Sequence, residues 1–117
     1  MEWEVEYTDG FEGWWNSLSE AEQENVNAKL IMLQRFGPAL RRPHSDPIAF
    51  SRHSHMKELI IQYAGRPYRV LYALDPARSS ILLLGGDKTG DTKWHERFVP
   101  IADGLYDEHL ATIKKES

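Results

Sequence analysis

Cysteine is absent from this sequence, which excludes disulfides and thiolate metal sites and fits a reducing compartment. Long apolar runs are also missing, and the opening MEWEVEYTDG is acidic and alternating rather than an apolar leader. No membrane partner is therefore expected, and a cytoplasmic location is. Positive charge is scarce at the start: residues 1–26 hold eight acids and no Lys or Arg. A net charge of −4 argues against a general nucleic-acid binder, whose phosphate contacts need an excess of cations. No internal repeat or low-complexity segment is visible. With 117 residues, one domain spanning 1–117 with a single packed core is expected.

The cations that are present gather elsewhere. Residues 41–69 carry Arg41, Arg42, Arg52, Lys57, Arg66 and Arg69 against Asp46 and Glu58, together with His44, His53 and His55. The chain is electrically lopsided, and its basic part is a candidate binding surface.

EWEVEY (2–7) alternates strictly, with Trp3, Val5 and Tyr7 on one face and three glutamates on the other, as a half-buried strand does. Thr8 or Asp9 can cap a short helix carrying Phe11, Trp14 and Trp15, the tryptophans read as core anchors. Ser19 and Glu22 form a capping box for a second helix with Val26, Leu30, Leu33 and Phe36 on one stripe, stopped by Gly37-Pro38. Residues 38–55 have three prolines and no period, and read as a long loop. Three apolar runs follow, ELIIQY (58–63), YRVLYAL (68–74) and SILLLGG (80–86), separated by AGRP and DPARS. Such spacing predicts an antiparallel meander, with which the first strand must pair. TKWHERF (92–98) is expected to form one helical turn, and Pro100-Ile101 to start a final helix. The fold class is α+β: a helix hairpin packed on one sheet.

Arg69 lies mid-strand, on the face opposite Tyr68, Val70 and Tyr72. A cation there must be paired or must line a surface that receives an anion. Antiparallel pairing is expected to bring Lys57 beside Arg69 on one concave patch. With Arg66, Lys88, Lys93, Trp94 and His95 nearby, this set suits an RNA phosphodiester: Arg binds the phosphate, cations stabilise developing charge, and an aromatic stacks on a base. The more ordinary outcome is pairing of these cations with Glu58, Asp87, Asp91 and Glu96. Two other constellations are weaker. His44, His53, His55 and Asp46 could ligate zinc, but a solvated loop is the expectation, and no metal or cofactor is expected. GGDKTGD (85–91) lacks the spacing of a phosphate loop.

Lys57-Glu58-Leu59-Ile60, YRVLY (68–72) and the strand from Ile81 running into Lys88 together resemble the phage-derived Gp49-like, HigB-like branch of the RelE/ParE toxin superfamily. The resemblance covers the order of elements over most of the chain. It departs at Ile60, where that branch often has Arg, and at Thr89, where it often has a second Lys. It implies a microbial-RNase-like fold and a metal-independent endoribonuclease that cleaves mRNA on the ribosome. It also implies a small antitoxin, typically a helix-turn-helix protein encoded alongside. Under it, Arg69 holds the scissile phosphate, Lys57 and Lys88 are the basic positions, and His95 or Tyr106 is the candidate acid or base. Arg52, Arg66, Lys93 and Trp94 would contact RNA. A toxin that docks on DNA gyrase, or an inactive phage or regulatory protein, are the other two readings.

Overall fold

The computed structural model describes residues 2–75 and 77–116. Strand β1 (Glu4–Tyr7) leads into helices α1 (Asp9–Ser17) and α2 (Glu20–Phe36), then a 3-10 turn (Gly37–Ala39). Strands β2 (Ser45–Pro47), β3 (Met56–Tyr63), β4 (Arg66–Asp75) and β5 (Ser79–Asp87) follow, and helix α3 (Trp94–Glu116) closes the chain. The sheet order is β1-β5-β4-β3-β2. β1 runs parallel to β5, and the other pairs are antiparallel.

Local chemistry sets the helix ends as expected. Thr8 caps α1, its Oγ1 accepting from the Phe11 amide at 3.1 Å and donating to the Leu83 carbonyl at 2.7 Å. Ser19 and Glu22 form a complete capping box on α2, satisfying amides the helix itself leaves open. Gly37 ends α2 at φ +51°, and a Cβ there would lie 2.3 Å from Trp3 Nε1.

The sheet has two covered faces. On one, Leu59, Ile61, Tyr68, Val70, Tyr72 and Leu82 pack under the α1–α2 hairpin with Phe11, Val26 and Leu33. On the other, Met56, Leu71, Ala73, Ile81 and Leu83 pack under α3 with Trp94, Val99, Ala102 and Tyr106. The adjacent glycines of β5 serve both. A Cβ on Gly85 would stand 2.1 Å from the Trp14 ring on the hairpin side, and one on Gly86 would stand 2.8 Å from Trp94 Nε1 on the α3 side. The GGDKTGD stretch is thus a packing device for two tryptophans.

Two elements differ from expectation. The loop 38–55 contains β2, which pairs Ser45–Pro47 with Lys57–Leu59 and buries a 2.6 Å hydrogen bond between the Ser45 and Tyr72 hydroxyls. The last helix is continuous from Trp94, with Pro100 inside it. An interior proline costs about 3 kcal/mol, but Trp94 and Val99 before it and Ala102 and Tyr106 after it are all buried, and that burial outweighs one lost backbone bond.

Candidate active site

The register of β3 against β4 decides the site. Ala64 and Gly65, at φ +50° and +76°, make a two-residue turn of the kind that suits tight hairpins, so Tyr63 pairs with Arg66 and Ile60 with Arg69. Glu58, Ile60 and Arg69 therefore share the α3 face, and Lys57, which pairs with Tyr72, points to the opposite one.

Glu58 is 8% exposed and bridges two partners. Its Oε1 accepts from Arg69 Nε at 3.1 Å, and its Oε2 lies 2.5 Å from His95 Nε2. Arg69 also donates through Nη1 to the Tyr68 carbonyl at 2.9 Å. His95 stands one residue into α3, edge-on to Trp94 at 5.1 Å, and Trp94 itself is seated on Gly86. A carboxylate holds an imidazole and a guanidinium side by side, both partly open, with side-chain exposures of 26% and 14%. With Nε2–H donated to Glu58, His95 Nδ1 is the ring nitrogen available to take or give a proton.

Several expected site residues are elsewhere. Lys57 does not converge with Arg69: its ammonium donates to the Leu40 carbonyl at 2.9 Å on the hairpin side, where burial pulls its pKa below the usual value, countered in part by Asp46. Trp94 is 3% exposed and packs in the core, so it offers no face for a base. Arg66 lies over the Tyr63 and Tyr68 rings, at 5.8 and 5.4 Å, between Glu22 and Asp87. Arg52 pairs with Asp107 of α3. Tyr106 is buried, donating to the Leu74 carbonyl. Lys88 and Lys93 lie at the two ends of the segment that joins β5 to α3. The Lys88 amide bonds the Pro67 carbonyl at 2.9 Å, and Lys93 is exposed.

The histidine loop does not form a ligand set. His44 Nδ1 lies 2.8 Å from Lys29 Nζ, while His53 is 2.7 Å from Asp107 and edge-on to Tyr106. Among the described residues, a different trio, Glu6, Asp75 and His109, brings ligand atoms within 4.8 Å of one another. Its core is a hydrogen bond of 3.0 Å between Asp75 and His109, which ties α3 to the end of β4.

What sequence reasoning missed is Glu58, which it placed only as a possible counter-ion. The parity of the two-residue AG turn was the available signal.

The model of the family described as phage derived protein Gp49-like matches residues 13–107. Two proteins of Mycobacterium tuberculosis, both named as candidate toxins, are similar over most of the chain. HigB3 is 41% identical over 102 residues, 86% of this chain and 88% of its own. HigB2 is 42% identical over 103 residues, and there the chain spans about half, 51%, of the relative's length. Among solved structures, isolated E. coli RelE toxin superposes with a TM-score of 0.59 at 13% identity, over 85% of this chain and 98% of its own. The M. tuberculosis RelBE2 toxin–antitoxin complex gives 0.55 at 16% identity, over 74% of this chain and 99% of that one. Identities this low speak to fold alone.

Proposed function

Since the chain belongs to the phage-derived Gp49-like family, as a HigB-like member of the RelE/ParE superfamily, we propose that it is the toxin of a type II toxin–antitoxin system. We infer that it acts as a metal-independent endoribonuclease on ribosome-bound mRNA in the cytoplasm, with residues 1–117 as one toxin domain. The observation that carries this reading is the Glu58 bridge between Arg69 and His95.

RNA supplies its own nucleophile, so cleavage needs a base, an acid and a cationic seat for the phosphate. His95 Nδ1 takes the proton from the 2′-hydroxyl as that oxygen attacks phosphorus. The P–O5′ bond breaks, leaving a 2′,3′-cyclic phosphate and a 5′-oxygen that takes its proton from water, and His95 then gives the proton it took back to solvent. Glu58 fixes the His95 tautomer and stabilises its imidazolium. Arg69, held at Nε and Nη1, presents the rest of its fork to the phosphate. Lys88 and Lys93 add positive charge at the rim. Lys57 belongs to the fold on the hairpin side. The partners in this proposal are the ribosome, its mRNA and a small antitoxin, expected to be a helix-turn-helix protein encoded alongside.

A second reading, a toxin that docks on DNA gyrase, draws on a groove of about 400 Å³ between β1, α1 and α2, with Val5, Tyr7, Phe11, Trp15, Leu30 and Leu82 as its apolar lining and Glu12, Asn16, Asn27 and Gln34 as its polar one. His95→Ala separates the two readings. Primer extension on ribosome-associated mRNA after induction is expected to show cleavage by the native chain and at least about a hundred-fold less by His95→Ala, the usual contribution of a general acid–base. Growth arrest without mRNA cleavage, unchanged in His95→Ala, would select the docking reading.

A further inference from the structure

Against the Glu58–His95 pair opens a cavity of about 390 Å³, lined by Asp46, Pro47, Ile48, Ala49, Phe50, Glu58, Thr92, His95 and Glu96. Its volume lies in the range of small-ligand sites, and its chemistry is one-sided. Three carboxylates face it, and none of the lining residues is Lys or Arg. An anion cannot be the occupant, so this is not where the phosphate sits. Pro47 at the end of β2 and Ile48 and Ala49 of the loop after it make an apolar wall, together with Phe50, which is 58% exposed. A large apolar ring left in water beside acceptor oxygens is a stacking platform with a hydrogen-bonding rim. The loop that presents it is anchored: Asp103 of α3 accepts from Ser51 Oγ at 2.5 Å and from the Arg52 amide at 3.2 Å.

We propose that this cavity is the nucleobase subsite of the cleavage reaction. It takes the base of the nucleotide next to the scissile phosphate, stacks it against Phe50, and selects bases that present an exocyclic amino donor to Glu96 and Asp46. The proposal rests on the nuclease reading above, because Glu58 and His95 are walls of both sites. Guanine, adenine and cytosine each carry an exocyclic amino group on the pairing edge, whereas uracil offers two carbonyls and one imino donor. Two uracil carbonyls facing carboxylates would set acceptor against acceptor with no donor between them. Asp46 already receives one bond from Arg42 Nη2 at 2.8 Å on Oδ2, and its Oδ1 is the oxygen left for a base. Glu96, exposed in the first turn of α3, has both oxygens to offer. A protein side chain such as a partner's lysine would also satisfy the carboxylates, but it would make no use of the aromatic wall or of the adjoining phosphate chemistry.

Two measurements test this. The first follows binding of the four 3′-nucleoside monophosphates to the full chain by NMR. Phe50 and His95 resonances are expected to shift with 3′-GMP, 3′-AMP and 3′-CMP, and only at several-fold higher concentration with 3′-UMP. The second compares cleavage of ribosome-bound mRNAs that differ in that one base. Phe50→Ala should lower cleavage of all four by about ten-fold or more, the usual effect of losing one stacked base, and Phe50→Tyr should restore it. Glu96→Gln should instead narrow the difference between uridine and the other three, because an amide can donate as well as accept. Equal binding of all four nucleotides, shifts confined to other residues, or a Glu96→Gln variant with unaltered base preference would overturn the subsite. Selective nucleotide binding without cleavage of any mRNA would leave the subsite standing and sink the nuclease reading instead.

Discussion

Glu58 shows how a single residue can organise a site that its neighbours only furnish. It is a buried carboxylate with two cationic or cation-forming partners, His95 and Arg69, so its charge is compensated where a lone one would be strongly penalised. Glu58→Gln keeps the shape but removes the charge and one of the two acceptor contacts. Cleavage should fall about ten- to a hundred-fold, the usual loss when a positioning partner goes, while binding of the 3′-nucleotides changes much less. Arg69→Lys should abolish more, since an ammonium cannot bond Glu58 and the Tyr68 carbonyl and still present a fork to phosphate. Comparable binding losses in Glu58→Gln would mark Glu58 as a structural support only. At this scale the sequence was half legible. Alternation put Arg69 on the correct face, but which β3 residues share that face depends on the parity of the Ala64-Gly65 turn. Assuming only that neighbouring strands approach each other brought Lys57 to the wrong side. Trp94 misled for another reason: an aromatic next to cations suggests stacking on a base, yet Gly86 is the space into which its ring packs.

Elements were the most legible level. The strands run within about two residues of the apolar runs, and both helix caps are those the side chains dictate. Two features were hidden because they rest on long-range partners. β2 exists through pairing with β3 and the buried Ser45–Tyr72 bond. The segment 48–55, which reads as an unstructured basic loop, is pinned to α3 by Asp103 and by Asp107, which meets both Arg52 and His53. Much of the positive charge expected to face RNA is thus neutralised within the fold. Asp103, 3% exposed, is the buried end of this strap. Asp103→Ala leaves the Ser51 hydroxyl and the Arg52 amide without their acceptor, a loss of about 1–3 kcal/mol measurable by urea denaturation. Amide exchange should quicken from 48 to 55 and stay unchanged in β3 and β4. Uniform quickening would mean that the strap supports the whole fold rather than this loop.

Across the whole molecule, stability against pH is set largely by the hairpin side of the sheet. The Tyr68 hydroxyl donates to Glu22 Oε2, coupling a titrating group of the acid range to one of the alkaline range. Hydrogen bonds from Tyr68 and from Ser19 hold the Glu22 carboxyl below its usual 4.5, and the Arg42 bond holds Asp46 below its usual 3.8. A depressed folded-state pKa gives stability that is present above the unfolded value and is lost as pH falls through the folded one. Unfolding should therefore become easier below about pH 4.5. Burial, chiefly, pushes the Tyr68 and Tyr72 hydroxyls up to about 12 from 10.0, and raises Tyr106 as well. A raised pKa gives stability that is full below the unfolded value and is lost as pH rises toward the folded one, here between 10 and about 12. Lys29 and Lys57, lowered by burial, work the other way and add stability up to 10.5, so the net decline sets in once pH passes that value, in the lower part of the window. Tyr68→Phe tests the coupling, because one missing oxygen should flatten both limbs: the alkaline one by removing a titrating hydroxyl, the acid one by taking away the largest bond that holds Glu22 ionised. Denaturant midpoints measured from pH 3 to 12, with tyrosinate absorbance followed alongside, read both limbs in one variant. If the acid limb of Tyr68→Phe matched that of the native chain, the Tyr68–Glu22 bond would contribute nothing in solution, and the low-pH loss would belong to Asp46 and Arg42 instead.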